Sequence, residues 1–236
     1  GDEQPYSKIY LDESKGQIPN DFWGIEFGTN QRASLELEKI FGDRLFDFSK
    51  SVLLLSNLLK IGVRKDDLIL DFFSGSATTA HAVMQLNAVD NGNRKFIMVQ
   101  LPEETDEKSE AYKTGYKNIC EIGKERIRRA GDKIKDENPL LTSDVDTGFR
   151  VLKVDSSNMK DVYYAPNEIT QDFLSSLESN IKEDRTDLDL LFGCLLEWGL
   201  PLSLPYKSIE IDGCVVHNYN EGDLIACFEE NISENV

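Results

Sequence analysis

A chain of 236 residues, 40% hydrophobic and 29% charged, is long enough to bury a sizeable core and is ordinary in composition for a globular protein. Its 43 acidic against 26 basic residues give a formal net charge of −17, which excludes a uniformly basic nucleic-acid coat but not a local basic patch. No apolar run approaches the roughly 18 residues of a membrane span and no signal peptide is read, so no membrane partner and a cytoplasmic setting are expected. Cys120, Cys194, Cys214 and Cys227 lie far apart with no CxxC pair, and the 2 histidines complete no zinc set at usual spacings. Reduced, half-buried thiols and no metal are expected.

In chain order, residues 1 to 32 carry Gly, Pro, Asn, Asp and Ser at short intervals between aromatics, which predicts irregular chain laid over something else. A helix is expected from Ala33 to about Phe41, stopped at Gly42. A second is expected from a cap at Ser49 or Ser51 through Val52, Leu55, Leu58 and Leu59 to Gly62. Leu68 to Asp71 reads as a strand, the small residues after it as a tight loop, and the Ala-rich run to Ala88 as a helix. After the turn residues Asp90 to Asn93, Lys95 to Leu101 reads as a strand parallel to the first, completing a right-handed β-α-β unit.

A long helix is expected from about Lys117 to Lys135, with Ile119, Ile122, Ile127, Ala130 and Ile134 on one face and a basic stripe on another. Glu121 and Glu125 stand within reach of Lys117, Lys124 and Arg129, so the stripe reads as an ion-paired solvated face rather than a nucleic-acid contact. The main domain boundary is expected within 136 to 148. Beyond it come a strand at Phe149 to Val154, helices at Asn167 to Lys182 and Leu188 to Trp198, a hairpin turning at Asp212-Gly213 and a strand from Leu224 to Phe228. The second of those helices is apolar nearly all round and is expected to be buried. His81 reads as a packed or surface histidine, and His217 has no partner visible in the sequence.

The chemistry is concentrated in residues 71 to 79. A carboxylate at a strand end accepts from an amino group, Phe72 and Phe73 wall an adenine or ribose, and Ser74, Ser76, Thr78 and Thr79 offer hydroxyls around Gly75. No lysine occupies the loop, which disfavours a triphosphate cradle. The run Asp71-Phe72-Phe73-Ser74-Gly75-Ser76-Ala77-Thr78-Thr79-Ala80-His81-Ala82-Val83 resembles the S-adenosylmethionine-binding motif I of the β-class DNA amino-methyltransferases, particularly the modification subunits of type III restriction-modification systems. Phe46-Asp47-Phe48-Ser49-Lys50-Ser51-Val52 resembles the motif X that precedes motif I in this permuted class, and the likeness extends over roughly residues 28 to 231.

The resemblance implies an α/β, Rossmann-like S-adenosylmethionine-dependent methyltransferase fold, partial in this chain. It implies an irregular segment at 1 to 32, a cofactor-binding domain at 33 to 136 and a small α+β carboxyl-terminal region at 149 to 236. The implied cofactor is S-adenosylmethionine, held by Phe48, Lys50, Asp71, Phe72, Phe73, Ser74, Gly75, Ser76, Thr78, Thr79 and Gln100, with Gly28-Thr29-Asn30 near enough to motif X to line the pocket. Three positions depart from the family. Ala77 replaces a common glycine, tolerable if it has helical angles. Ser49 and Ser51 replace prolines beside Lys50, leaving Lys50 and the aromatics to carry over, and Gln100 replaces an acidic residue on the ribose hydroxyls.

The family's Asp-Pro-Pro-Tyr-type motif, which holds the amino group of a flipped base, has no counterpart, since the chain contains no Pro-Pro pair. In the permuted order that motif and the target-recognition region lie upstream, so the chain is expected to be a carboxyl-terminal portion of an adenine-N6 DNA methyltransferase, inactive by itself. The expected partners are double-stranded DNA through the full-length protein, and a restriction subunit or second modification subunit. The alternative is a non-catalytic docking module of such a complex. A small-molecule methyltransferase would need a complete acceptor pocket, and none is read.

Overall fold

The computed structural model describes residues 18–137, 139–142, 144–160 and 180–236. The chain divides into two compact units, one ending at Phe149 and the next beginning at Arg150.

The first unit is mixed α/β. Its first helix, α1 (Asn30–Phe41), opens on Thr29, whose hydroxyl accepts from the Arg32 amide, and ends where Gly42 turns left-handed at φ 86°. It buries Ala33 and Leu37, one turn apart. The next, α2 (Val52–Gly62), begins after Ser51, but the Ser51 hydroxyl makes no cap; the Val52 amide instead donates to Glu36 Oε2 at 3.0 Å, so α1 supplies the cap that the sequence assigns to serine. The irregular stretch before α1 contains a 3-10 turn, Ile25–Phe27, and Gly28 lies so close to Ser51 that an added Cβ would stand 2.4 Å from its hydroxyl.

Strands β1 (Leu68–Asp71) and β2 (Lys95–Met98) pair in parallel, Leu68 opposite Lys95 and Asp71 opposite Met98. The second is shorter than the apolar run 95–101, although Val99 N–H still donates to Asp71 O at 2.8 Å. Between them runs α3 (Thr78–Asp90), buried on most sides because Ala80 and Ala82 let its neighbours approach closely. The return to β2 is fixed by Arg94, which forks onto Asp90 with both bonds at 2.9 Å, and by Asn87, which bonds both backbone groups of Arg94.

A short helix that the sequence did not suggest, α4 (Glu110–Lys113), capped by Ser109, precedes α5 (Ile119–Glu137). A further turn, α6 (Pro139–Thr142), lies in the expected linker. One apolar cluster joins Val52 and Leu59 of α2 to Ile69 and to Ala82, Val83 and Leu86 of α3; another joins α3 through Ala80 and Met84 to Ile127, Ala130 and Ile134 of α5. Each buried valine, leucine, isoleucine or methionine among them is worth roughly 1.5–3 kcal/mol. The opposite face of the sheet is exposed: Leu68, Leu70 and Phe72 alternate along β1 and its extension, and Ile97, Val99 and Leu101 along β2 and its extension, at 46–68% exposure.

The basic stripe on α5 is ion-paired as expected, Lys124 with Glu121 at 2.6 Å and Arg129 with Glu125 at 2.7 Å. Lys117 instead lies over the Tyr112 ring, and Arg129 also donates to the last carbonyls of α1, those of Ile40 and Phe41.

In the second unit, α7 (Asp187–Glu197) opens on a full capping box between Thr186 and Asp189. Strands β3 (Tyr206–Ile211), β4 (Cys214–Tyr219) and β5 (Leu224–Cys227) form an antiparallel sheet in sequence order, and Asp212 and Gly213 turn the hairpin with φ 48° and 83°. Leu191 and Leu195 of α7 pack with Tyr219 and Leu224. Several expectations fail here. Residues 149–154 form no strand, because no described strand pairs with them; Arg150 instead donates to the Leu202 and Leu204 carbonyls. The α7 helix buries one side only, and Leu196 and Trp198 are each 65% exposed. His217 does have partners, Ser208 Oγ at 2.8 Å from Nδ1 and Asp187 Oδ2 at 3.6 Å from Nε2. The expected helix from Asn167 falls outside the described residues up to 179, and at its far end Ile181 bridges to Met159 rather than continuing a helix. All four cysteines are free thiols, Cys214 buried and the others half-buried.

No helix among the described residues is long and apolar enough to cross a membrane.

Candidate functional site

The loop between β1 and α3 is held by its own carboxylate. Asp71 Oδ1 accepts from the Phe73 amide at 3.2 Å and Oδ2 from the Thr79 hydroxyl at 2.5 Å, so the strand end and the first turn of the helix are tied across the loop. Ser74 donates its amide to Val99 O at 3.2 Å, and Gly75, at φ 52°, donates to Gln100 Oε1 at 2.7 Å. Gln100 therefore braces the loop with its oxygen, while its amide nitrogen turns back to Leu101 O at 3.2 Å.

Ala77 departs from the expectation attached to it. It is left-handed at φ 58° and ψ 40°, the conformation a glycine adopts freely and an alanine at a cost of about 1–2 kcal/mol. The loop thus keeps the shape that a glycine would favour, with a buried methyl in its place. Helix α5 presses against this turn through Gly123, where an added Cβ would stand 3.3 Å from Gly75 O.

The other candidates separate into outward and inward groups. Phe48, Phe72 and Phe73 are 81%, 63% and 80% exposed, an unusual state for three phenylalanines near one loop, and Lys50 is exposed beside Phe48. Ser76, Thr78 and Thr79 are buried beneath the loop. Ser49, between Phe48 and Lys50, points the opposite way and is buried: its hydroxyl lies 3.2 Å from Ser76 Oγ and 3.3 Å from Thr78 Oγ1. Motif X and motif I therefore meet through hydroxyls, in the position where the family's proline is replaced.

At the centre of that contact is a residue that the sequence pattern alone did not single out. Arg126 of α5 is fully buried, and its Nη1 lies 2.9 Å from Ser49 Oγ, 2.9 Å from Ser76 Oγ and 2.6 Å from Thr78 Oγ1. Burial lowers its pKa to about 10, partly opposed by the Glu36 carboxylate, so it remains cationic at neutral pH. Burying an isolated charge costs several kcal/mol, and each charge-assisted hydrogen bond returns about 1.5–3 kcal/mol, so the hydroxyls are required if the charge is to stay inside. The signal was present in the spacing: Arg126 stands between Ile122 and Ala130 in the apolar stripe of α5, where a solvated arginine has no place.

His81, one turn into α3, is pushed down to about 3 by burial and by the positive charges of Arg126 and Lys133, and its Nδ1 is shielded without a hydrogen-bond partner. A neutral imidazole beside a cation is a packed group, as expected. A shallow groove lined by Asn30, Ser34, Glu38, Arg44 and Asp47 lies beside α1 and does not include the motif I loop.

A strand-end carboxylate, a turn opening on a helix N-terminus, outward aromatic rings and a lysine make a surface that can receive a ligand with an aromatic base and polar groups. Such an arrangement fits an adenosyl compound. Residues 2–130 match the family described as DNA methylase, of the N6/N4 type. The chain is 37% identical over 174 residues to the type III restriction-modification enzyme StyLTI Mod subunit of Salmonella typhimurium, covering 74% of this chain and 25% of that protein. It is 33% identical over 214 residues to the EcoPI Mod subunit of Escherichia phage P1, covering 89% and 32%, and 34% identical over 131 residues to the type II methyltransferase M.KpnI of Klebsiella pneumoniae, covering 56% and 31%. The chain thus spans a quarter to a third of the length of these relatives. The match to the family covers more than half of the chain and includes residues 46–52 and 71–83, and the chain belongs to the N6/N4 DNA methylase family.

Proposed function

We propose that this chain is the cofactor-binding and carboxyl-terminal part of a site-specific DNA methyltransferase that modifies adenine at N6 in a type III restriction-modification system. The observation that carries the reading is the built loop from Asp71 to Thr79, with motif X fixed against it through Ser49. In this reading the first unit is a partial Rossmann-like domain and the cofactor is S-adenosylmethionine, which supplies the methyl group when bound. Phe48, Phe72 and Phe73 flank the adenine, Lys50 and the Ser74 hydroxyl meet its polar groups, and Asp71, Gly75 and Gln100 hold the loop in shape. Ser76, Thr78 and Thr79 act from beneath it. The residues that hold the target amino group belong to another part of the protein, since this chain has no Pro-Pro pair from which the family's catalytic motif could be made.

The full protein would work in the cytoplasm on double-stranded DNA, with a restriction subunit or a second modification subunit, in keeping with the Mod subunits among its relatives. Calorimetric titration with S-adenosylmethionine tests the site: binding is expected, and Asp71→Ala should abolish the heat. The chain alone should transfer no methyl group to DNA, and turnover by it would refute its assignment as a part. A docking role for the second unit is favoured by the exposed Leu196 on α7 and Trp198 just after it, and it alone would remain if no cofactor binds.

A further inference from the structure

Ser49 and Ser76 belong to segments 27 residues apart, and Arg126 comes from a third element 77 residues from Ser49, yet one guanidinium nitrogen reaches both hydroxyls. Nη1 carries two hydrogens and faces Ser49 Oγ, Ser76 Oγ, Ser76 O and Thr78 Oγ1, so its protons are shared among acceptors from motif X, the motif I loop and the first turn of α3. Beside the buried Ser49 stand two exposed groups, Phe48 and Lys50, and before the buried Ser76 stands the half-buried Gly75 of the loop. Because Ser49 is bonded to both through the chain, holding it inward fixes where the exposed Phe48 and Lys50 leave the surface.

We propose that Arg126 is a positioning residue of the cofactor site, setting from beneath the spacing between the motif X aromatics and lysine and the motif I loop. The inference rests on the reading of that loop as an S-adenosylmethionine site. Arg126 is fully buried, so it acts through the hydroxyls. A stability role alone would not require its contacts to converge on these two segments, since the same helix already packs on α3 through Ile127, Ala130 and Ile134. All four contacts fall on Nη1, which stands one bond farther along the side chain than a lysine ammonium, so lysine should restore the charge but only part of the geometry.

The test compares Ser49→Ala, Arg126→Lys and Arg126→Met with Ile134→Ala, a core change about 12 Å along the same helix. S-adenosylmethionine affinity is measured by calorimetry and stability by thermal unfolding, both in the protein carrying this chain. Ser49→Ala and Arg126→Lys should each weaken binding about tenfold, the loss of one charge-assisted bond, with Arg126→Met weaker still. Ile134→Ala should lower the melting temperature more than Ser49→Ala does and leave affinity unchanged. If affinity simply follows melting temperature across the set, or stays unchanged in Ser49→Ala and Arg126→Lys, the positioning role is overturned while the cofactor site stands. Should the unaltered protein not bind S-adenosylmethionine, the site and the inference fall together. If Arg126→Met fails to fold, the two milder variants decide between these outcomes.

Discussion

Ala77 shows how a single backbone conformation can outlast the residue type that favours it. At φ 58° its Cβ strains the turn, yet the methyl is 3% exposed and packs among Ala80, Met84 and Ile127. Replacing it with glycine relieves about 1–2 kcal/mol of left-handed strain but forfeits about 0.8 kcal/mol of buried methyl and adds unfolded-chain entropy of about 0.4–1 kcal/mol. The opposing effects nearly cancel. Ala77→Gly is therefore expected to change stability by less than about 1 kcal/mol, whereas the β-branched Ala77→Val should cost at least about 2 kcal/mol in the same urea titration. A glycine variant as destabilised as the valine one would show that the methyl's packing, and not the turn, governs this position. The sequence makes the departure from glycine plain but not its consequence, because Ala77 adjoins a helix start and right-handed angles were an equally regular continuation.

Among the elements, the helices were the most legible. Thr29 and Gly42 bracket α1, and the small residues of α3 announce a helix pressed from several sides. The network beneath the loop was not legible, since hydroxyls 27 residues apart and an arginine in an apolar stripe become one feature only when α5 lies against α3. The supposed strand at 149–154 alternates well, but alternation describes a surface and not a pairing partner, and none is supplied among the described residues. The charge beneath α3 has a consequence for pH. His81 has its folded pKa lowered from 6.5 to about 3, so between these values the unfolded chain binds the extra proton. Its contribution to stability is complete above the unfolded value and is lost as the pH falls toward the folded one, with a slope of up to about 1.4 kcal/mol per pH unit. In a Trp198→Phe background, where Trp23 reports the first unit, the urea midpoint should fall between pH 7 and pH 5, and His81→Gln should remove much of that fall. An equal fall in both proteins would assign the acid sensitivity to other groups.

At the scale of the molecule, the bare face of the β1–β2 sheet agrees with the short span of the chain against its relatives. Parallel strands are ordinarily covered on both faces, and a two-stranded sheet is marginal without further strands or helices. Here α2, α3 and α5 cover one face through Ile69, Phe96 and Met98, while Leu68, Leu70, Ile97, Val99 and Leu101 face outward on the other. An apolar surface of this extent on a chain of net charge −17 is not explained by composition, which is ordinary, and is the kind of face that a partner layer covers. The chain by itself should therefore associate with rising concentration in sedimentation experiments and bind a hydrophobic dye. Leu70→Gln combined with Ile97→Thr should reduce both effects while shifting the unfolding midpoint little, because exposed side chains contribute within about 0.5 kcal/mol each. Where a further layer covers this face in a longer protein carrying the chain, the same pair of changes should have the opposite balance, costing stability or assembly. If the doubly changed longer protein is as stable as the unaltered one, the face is open there too and no such layer covers it.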